Sequence, residues 1–111
     1  MLNKTIVRWQ NDFLHNDIKS LVVVHDNKDN ITITLDGGVV FKGSEKELVK
    51  ILDNIINLPI DETIKSQNSQ IRVFALMDKR CGKKKIAAHK AVDKYESDVL
   101  CVRKYVTVRS N

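Results

Sequence analysis

Hydrophobic and polar positions alternate most regularly between residues 31 and 42. Ile31, Ile33 and Leu35 face one way and Thr32 and Thr34 the other, the period of a half-buried strand. Asp36-Gly37-Gly38 tolerates positive φ, so a tight hairpin into Val39-Val40-Phe41-Lys42 is predicted. Upstream, Leu21-Val22-Val23-Val24-His25 is β-branched and apolar on both faces, as in a buried strand, and Asp26-Asn27-Lys28-Asp29 is a polar turn. The pattern predicts a three-stranded meander with Leu21, Val23, Ile31, Ile33, Leu35, Val39 and Phe41 in its core.

The period then changes from two to 3.6. Ser44-Glu45-Lys46-Glu47 reads as a capping box, and Leu48, Ile51, Leu52, Ile55 and Ile56 follow on one helical face. Pro59 bars continuation, so a helix over Glu45–Asn57 is predicted. Residues 4–14 fit two descriptions. Ile6, Trp9 (or Gln10) and Phe13 make a helical face, whereas Ile6-Val7-Arg8-Trp9 makes a short strand. Residues 60–70 are polar, with one helical turn expected after Asp61, and form the only internal linker the pattern allows.

Beyond the linker, Ile71, Val73, Ala75 and Met77 alternate as a strand would. Lys83 to Tyr95 has a helical stripe of Ala88, Ala91, Val92 and Tyr95, and Asp98 to Arg109 reads as a long strand. Strand, loop, helix and strand make a βαβ-sized unit, for which parallel and antiparallel pairing both stay open. The expected fold class is α+β: a single domain over 1–111 with a mainly antiparallel sheet. That sheet holds the three-stranded meander plus one or two C-terminal strands, packed on one main helix and a second shorter helix.

Composition narrows the class. The chain has 111 residues, 42% of them hydrophobic but only 5% aromatic, so Ile, Val and Leu must fill a modest core. Met1 to Gln10 lacks the apolar stretch of a signal peptide, and the longest apolar run, Leu21–Val24, is strand-sized. A cytoplasmic protein is expected, with Cys81 and Cys101 as reduced thiols. Richness in Lys, Asn, Ile and Asp with a single Pro suggests an AT-rich coding genome, such as that of a low-GC bacterium or its phage.

Charge changes the picture most. Residues 1–66 are near neutral, with eight Lys/Arg against ten Asp/Glu, while residues 67–111 hold eleven against four. The densest cluster is Lys79-Arg80-Cys81-Gly82-Lys83-Lys84-Lys85, the footprint of a surface for a polyanion. Between a strand and a helix, Gly82 would stand at a helix N-terminus, where free N–H groups favour an anion. Lysines in a first helical turn oppose the helix dipole, so three of them imply a compensating anion. The bland alternative is a solvated basic loop. A nucleotide-binding P-loop is excluded, because one glycine is present and no Ser or Thr follows the lysine.

In the expected last strand, Arg103, Tyr105 and Arg109 share a face, two phosphate forks around one aromatic platform suited to single-stranded nucleic acid. His89, with Lys85, Arg103 and Tyr105, has the residue types of a metal-independent ribonuclease, at no diagnostic spacing. Cys81, His89 and Cys101 lack zinc spacing, so no metal and no cofactor is expected. The order of elements is similar to that of PD-(D/E)xK nucleases, but position 40 is valine where their triplet carries a carboxylate, so their two-oxygen metal cradle and activity are not expected.

The sequence thus points to a non-enzymatic nucleic-acid-binding protein, for DNA or RNA. Lys79, Arg80, Gly82, Lys83, Lys84 and Lys85, with Arg103, Tyr105 and Arg109, are its candidate contacts. Two alternatives stand beside it: a phage or mobile-element protein that docks on an acidic or nucleic-acid-processing host enzyme, and the ribonuclease. No membrane partner is expected.

Overall fold

The structure is a computed structural model that describes residues 2–109, with side chains through residue 106. Asn3 opens the fold by accepting a hydrogen bond from the Thr5 N–H at 2.8 Å, capping α1 (Lys4–Asp12). The helical description of residues 4–14 is the one realised, and its three-residue spacing buries Ile6 and Trp9 together. A 3₁₀ turn at Lys19–Leu21 leads into β1 (Val22–Asn27), β2 (Asn30–Leu35) and β3 (Gly38–Gly43), paired antiparallel in that order. Asp36 and Gly37 close the second hairpin with φ of 51° and 85°, the left-handed pair whose twist suits a two-residue turn.

The meander forms as predicted, but two of its expected core residues face outward. Val39 is 44% exposed because the register slips by one residue: Ile33 pairs with Phe41 but Thr34 pairs with Val39. Val40 is the extra residue of this β-bulge, so Val40 and Phe41 both turn into the core. Val23 is 47% exposed because it stands opposite Thr34 on the outer face, while its neighbour Val22 pairs with Leu35 on the inner one. The apolar run of β1 implied cover on both faces, and only one is covered.

Ser44 Oγ accepts from the Glu47 N–H at 3.1 Å and starts α2 (Glu45–Asn57), which buries Leu48, Ile51, Leu52 and Ile55. After Pro59 comes the single turn α3 (Ile60–Thr63). The remaining elements correct the expected strands. Residues 71–77 belong to α4 (Ser69–Leu76), capped by Asn68, whose side chain accepts from the N–H groups of Gln70 and Ile71. Val73 to Met77 are all buried, so the C-terminal half of α4 is apolar on every side and any period could be read into it.

The expected helix over 83–95 divides into α5 (Lys83–Ala88) and the start of α6 (Lys94–Arg109), and the expected C-terminal strand is the rest of α6. Among the described residues, Glu96, Val99, Leu100 and Arg103 are its buried positions, at helical spacing. Two of the four are charged, which hid the helical period and left the alternating valines to suggest a strand. Among the described residues the fold is therefore α+β with one three-stranded antiparallel sheet and six α-helices.

The core centres on Phe74 of α4. Its ring meets Trp9 of α1 at 5.3 Å and Phe41 of β3 at 6.0 Å between centroids, both edge-on. Among the described residues no helix is long and apolar enough to cross a membrane.

Leu52→Ala, at a fully buried position, should cost about 2–5 kcal/mol. Val23→Thr and Val39→Thr should stay within roughly 0.5 kcal/mol of the parent. Urea unfolding measures all three, and a large loss at either valine would contradict the one-sided sheet.

Candidate nucleic-acid interface

The basic segment begins where α4 ends, and it is tied down on every side. Lys79 N–H donates to Phe13 O at 2.8 Å and His15 N–H to Met77 O at 2.9 Å, a short antiparallel bridge of Leu14 with Asp78. The segment after α1 is thereby stitched to the start of the basic loop. Asp78 is fully buried and accepts from Arg80 three times: from its backbone N–H at 2.8 Å, from Nε at 3.0 Å and from Nη2 at 2.8 Å. The same guanidinium donates to Ile55 O at 2.7 Å and Leu58 O at 3.2 Å. Those carbonyls lie at the C-terminal end of α2, where helical partners run out. Arg80 thus caps α2 and neutralises Asp78, and little of it is left for a ligand.

Arg103 lies far from the exposed position expected for it. It is 2% exposed, and its guanidinium donates to Leu76 O at 2.5 Å and Cys81 O at 2.6 Å. Burial pulls its pKa down. Burial pushes the neighbouring Cys81 thiol up, and the arginine charge opposes that shift. Burial also lowers His15, and the Arg103 charge adds to the effect.

Arg103 and Tyr105 do not share a face, because residues two apart diverge around a helix. Tyr105 is 57% exposed on α6, and the side chain of Arg109 lies outside the described residues. Gly82 precedes α5, but a Cβ there would meet nothing within 4 Å, and α5 has only six residues. Gly82 is the N-cap of α5, the helix N-terminus expected for it, and no packing there requires a glycine.

The exposed cations of the loop are Lys79, Lys83 and Lys84. Lys85 is engaged, with Nζ 2.5 Å from Asp61 Oδ1, and that hydrogen bond holds the Asp61 carboxyl below its usual range. Lys79 Nζ stands 5.3 Å from the centroid of the Phe13 ring, and the guanidinium carbons of Arg80 and Arg8 stand 5.6 Å from it. Three cations from two parts of the chain thus gather on one half-buried aromatic. Arg8 and Phe13 are the members of this cluster that sequence reasoning missed. Both lie in the half whose net charge is slightly negative, and nothing local in the sequence says that residue 14 will pair with residue 78.

A second polar cluster surrounds Glu96, whose carboxylate is fully buried. It accepts from Arg72 Nε at 3.1 Å and Nη2 at 3.2 Å, from the Val92 N–H at 3.3 Å, and lies 2.8 Å from His89 Nε2. Burial works to raise its pKa, but the bonds from Arg72 and His89 prevail and hold it below the usual carboxylate range. His89 also lines a cleft of about 280 Å³ with Asp61, Ile64, Lys65, Lys85 and Ala88.

Residues 42–109 match the model of the SF0329 protein family, from the end of β3 through α6. The match takes in the basic loop, the Arg103 clamp and the Glu96 cluster. No curated protein and no solved structure matches the chain.

Lysine cannot fork to two carbonyls as arginine does. Arg103→Lys should therefore leave one of Leu76 O and Cys81 O unsatisfied and cost about 1–3 kcal/mol. The check is the urea midpoint; unchanged stability would contradict the clamp.

Proposed function

We propose that this chain, which belongs to the SF0329 protein family, binds nucleic acid through the surface where Arg8, Lys79 and Arg80 converge on Phe13. Lys83 and Lys84 extend that surface along the basic loop. The convergence is the observation that carries the reading. Asp78 neutralises Arg80, while no ion pair holds Arg8 or Lys79 among the described residues.

Magnitudes favour an anion at this place. Two cations in water at a separation on the order of 8 Å repel by about 0.5 kcal/mol. An exposed cation–π contact returns about 0.5–1 kcal/mol. The Phe13 ring therefore roughly offsets the crowding and no more, whereas a phosphate between Arg8 and Lys79 gains from both charges. A backbone with a phosphate at every nucleotide also reaches Lys83 and Lys84. The bridge to Phe13 and the Asp78–Arg80 pair hold Lys79 in place beforehand, so little ordering is spent on binding. The free thiols of Cys81 and Cys101 suit a reducing, cytoplasmic compartment, where nucleic acid is the abundant polyanion.

Binding of a fluorescent single-stranded oligonucleotide should weaken with salt, and replacing Arg8, Lys79, Lys83 and Lys84 by alanine should flatten the log–log slope by about 0.7–0.9 per lost phosphate contact. Lys42→Ala, on the outer sheet face, should leave the slope alone. An unchanged slope in the fourfold variant would overturn the assignment.

A further inference from the structure

We infer that the cleft between α3 and α5 cleaves single-stranded RNA by internal transesterification, with His89 as the base that takes the proton of a ribose 2′-hydroxyl. The inference rests on the nucleic-acid reading above but uses a different part of the molecule. Its residues are Asp61, Ile64, Lys65, Lys85, Ala88 and His89, around about 280 Å³.

The orientation of His89 carries it. In the neutral ring, the buried carboxylate 2.8 Å from Nε2 accepts from the ring hydrogen on that nitrogen, which leaves the Nδ1 lone pair to accept a proton. Nδ1 bonds no described residue, and the His89 side chain, 10% exposed, reaches the surface along the cleft wall. Arg72 grips Glu96 through two nitrogens, and the Val92 N–H donates to the same carboxylate at 3.3 Å, so the group that orients the ring is held in place. This carboxylate–imidazole pair has the geometry of a base held by its orienting group.

The rest of the cleft suits a ribonucleotide. Lys85 and Lys65 face it as cations, while Ile64 and Ala88 give it an apolar wall. Among the described residues, Lys85 is held by the 72%-exposed carboxylate of Asp61 alone, and exposed pairs of this kind contribute little. A phosphodiester can therefore draw Lys85 away from Asp61. Glu96 stands against the ring with Arg72 of α4 behind it, while Lys85 of α5, Asp61 of α3 and Lys65 line the cleft.

In the step, His89 Nδ1 accepts the 2′-hydroxyl proton and the 2′-oxygen attacks the adjacent phosphorus. The bond from phosphorus to the 5′-oxygen breaks, with Lys85 beside the charge that develops on the phosphoryl oxygens. The imidazolium then passes its proton through water to the departing 5′-oxygen. The products are a 2′,3′-cyclic phosphate and a 5′-hydroxyl, with no outside reactant consumed.

The test incubates the full chain with an end-labelled single-stranded RNA oligomer in the presence of a chelator. Expected are fragments ending in cyclic phosphate, with the all-2′-deoxy oligomer intact. His89→Gln keeps a donor for Glu96 but removes the base, and should slow cleavage by about 100-fold or more. Lys85→Ala breaks only a surface pair and should slow it by at least about 10-fold. Thermal unfolding shows whether either variant has lost its fold. RNA that binds but stays intact, or cleavage undiminished in His89→Gln, would overturn the inference and leave nucleic-acid binding standing. A parent chain that neither cuts RNA nor binds any single-stranded oligonucleotide would overturn both.

Discussion

The guanidinium of Arg103 is the constraint on which the rest of the molecule depends. Removing a cation from water costs several kcal/mol, and such a group is kept only where its hydrogen bonds repay that cost. Here the partners are carbonyls at two points of the chain, Leu76 at the end of α4 and Cys81 just before α5. Both would otherwise lie in the interior without a donor from their own helices. One side chain of α6 therefore closes the loop between α4 and α5 and fixes α6 against α4. Arg80 and Asp78 extend the clamp to the end of α2, and the Leu14–Asp78 bridge extends it to the segment after α1.

The basic half of the chain thereby divides its cations between two tasks. Arg72, Arg80 and Arg103 are tied to partners within the fold: Glu96, then Asp78 and the α2 carbonyls, then Leu76 and Cys81. The planar fork of arginine meets two acceptors at once, which suits it to these positions. The lysines stay outside, where a compact and strongly hydrated charge is cheap to keep. Lys79, Lys83 and Lys84 are exposed, and Arg8 joins them from α1. A count of charges sees one basic cluster, whereas the fold separates a scaffold from a surface.

The same division explains what the sequence made legible. The meander and α2 were readable because their periods are clean: Ile31, Ile33 and Leu35 alternate, and Leu48, Ile51, Leu52 and Ile55 recur at helical spacing after a serine cap. Val23 and Val39 were misplaced by effects that periodicity does not carry, an uncovered sheet face and a bulge at Val40. The C-terminal third was misread because charge occupies its interior. Glu96 and Arg103 stand at core positions of α6, so the apolar pattern alone pointed to a strand. Of the expected binding residues, Lys79, Lys83 and Lys84 lie on the surface, while Arg80, Lys85 and Arg103 have partners within the fold. Arg8 and Phe13 could be found only by folding the chain.

The central claim is that a clamped scaffold presents Arg8, Phe13 and Lys79 as a ready-made grip on phosphates. Amide chemical-shift mapping during titration with a single-stranded oligonucleotide tests it most directly. The account predicts that the largest shifts fall on Arg8, Phe13, Lys79, Lys83 and Lys84, with Leu76 and Cys81 little changed because the clamp does not move. Shifts centred on Val23, Thr32 and Val39 of the outer sheet face, or no shifts at all, would contradict it.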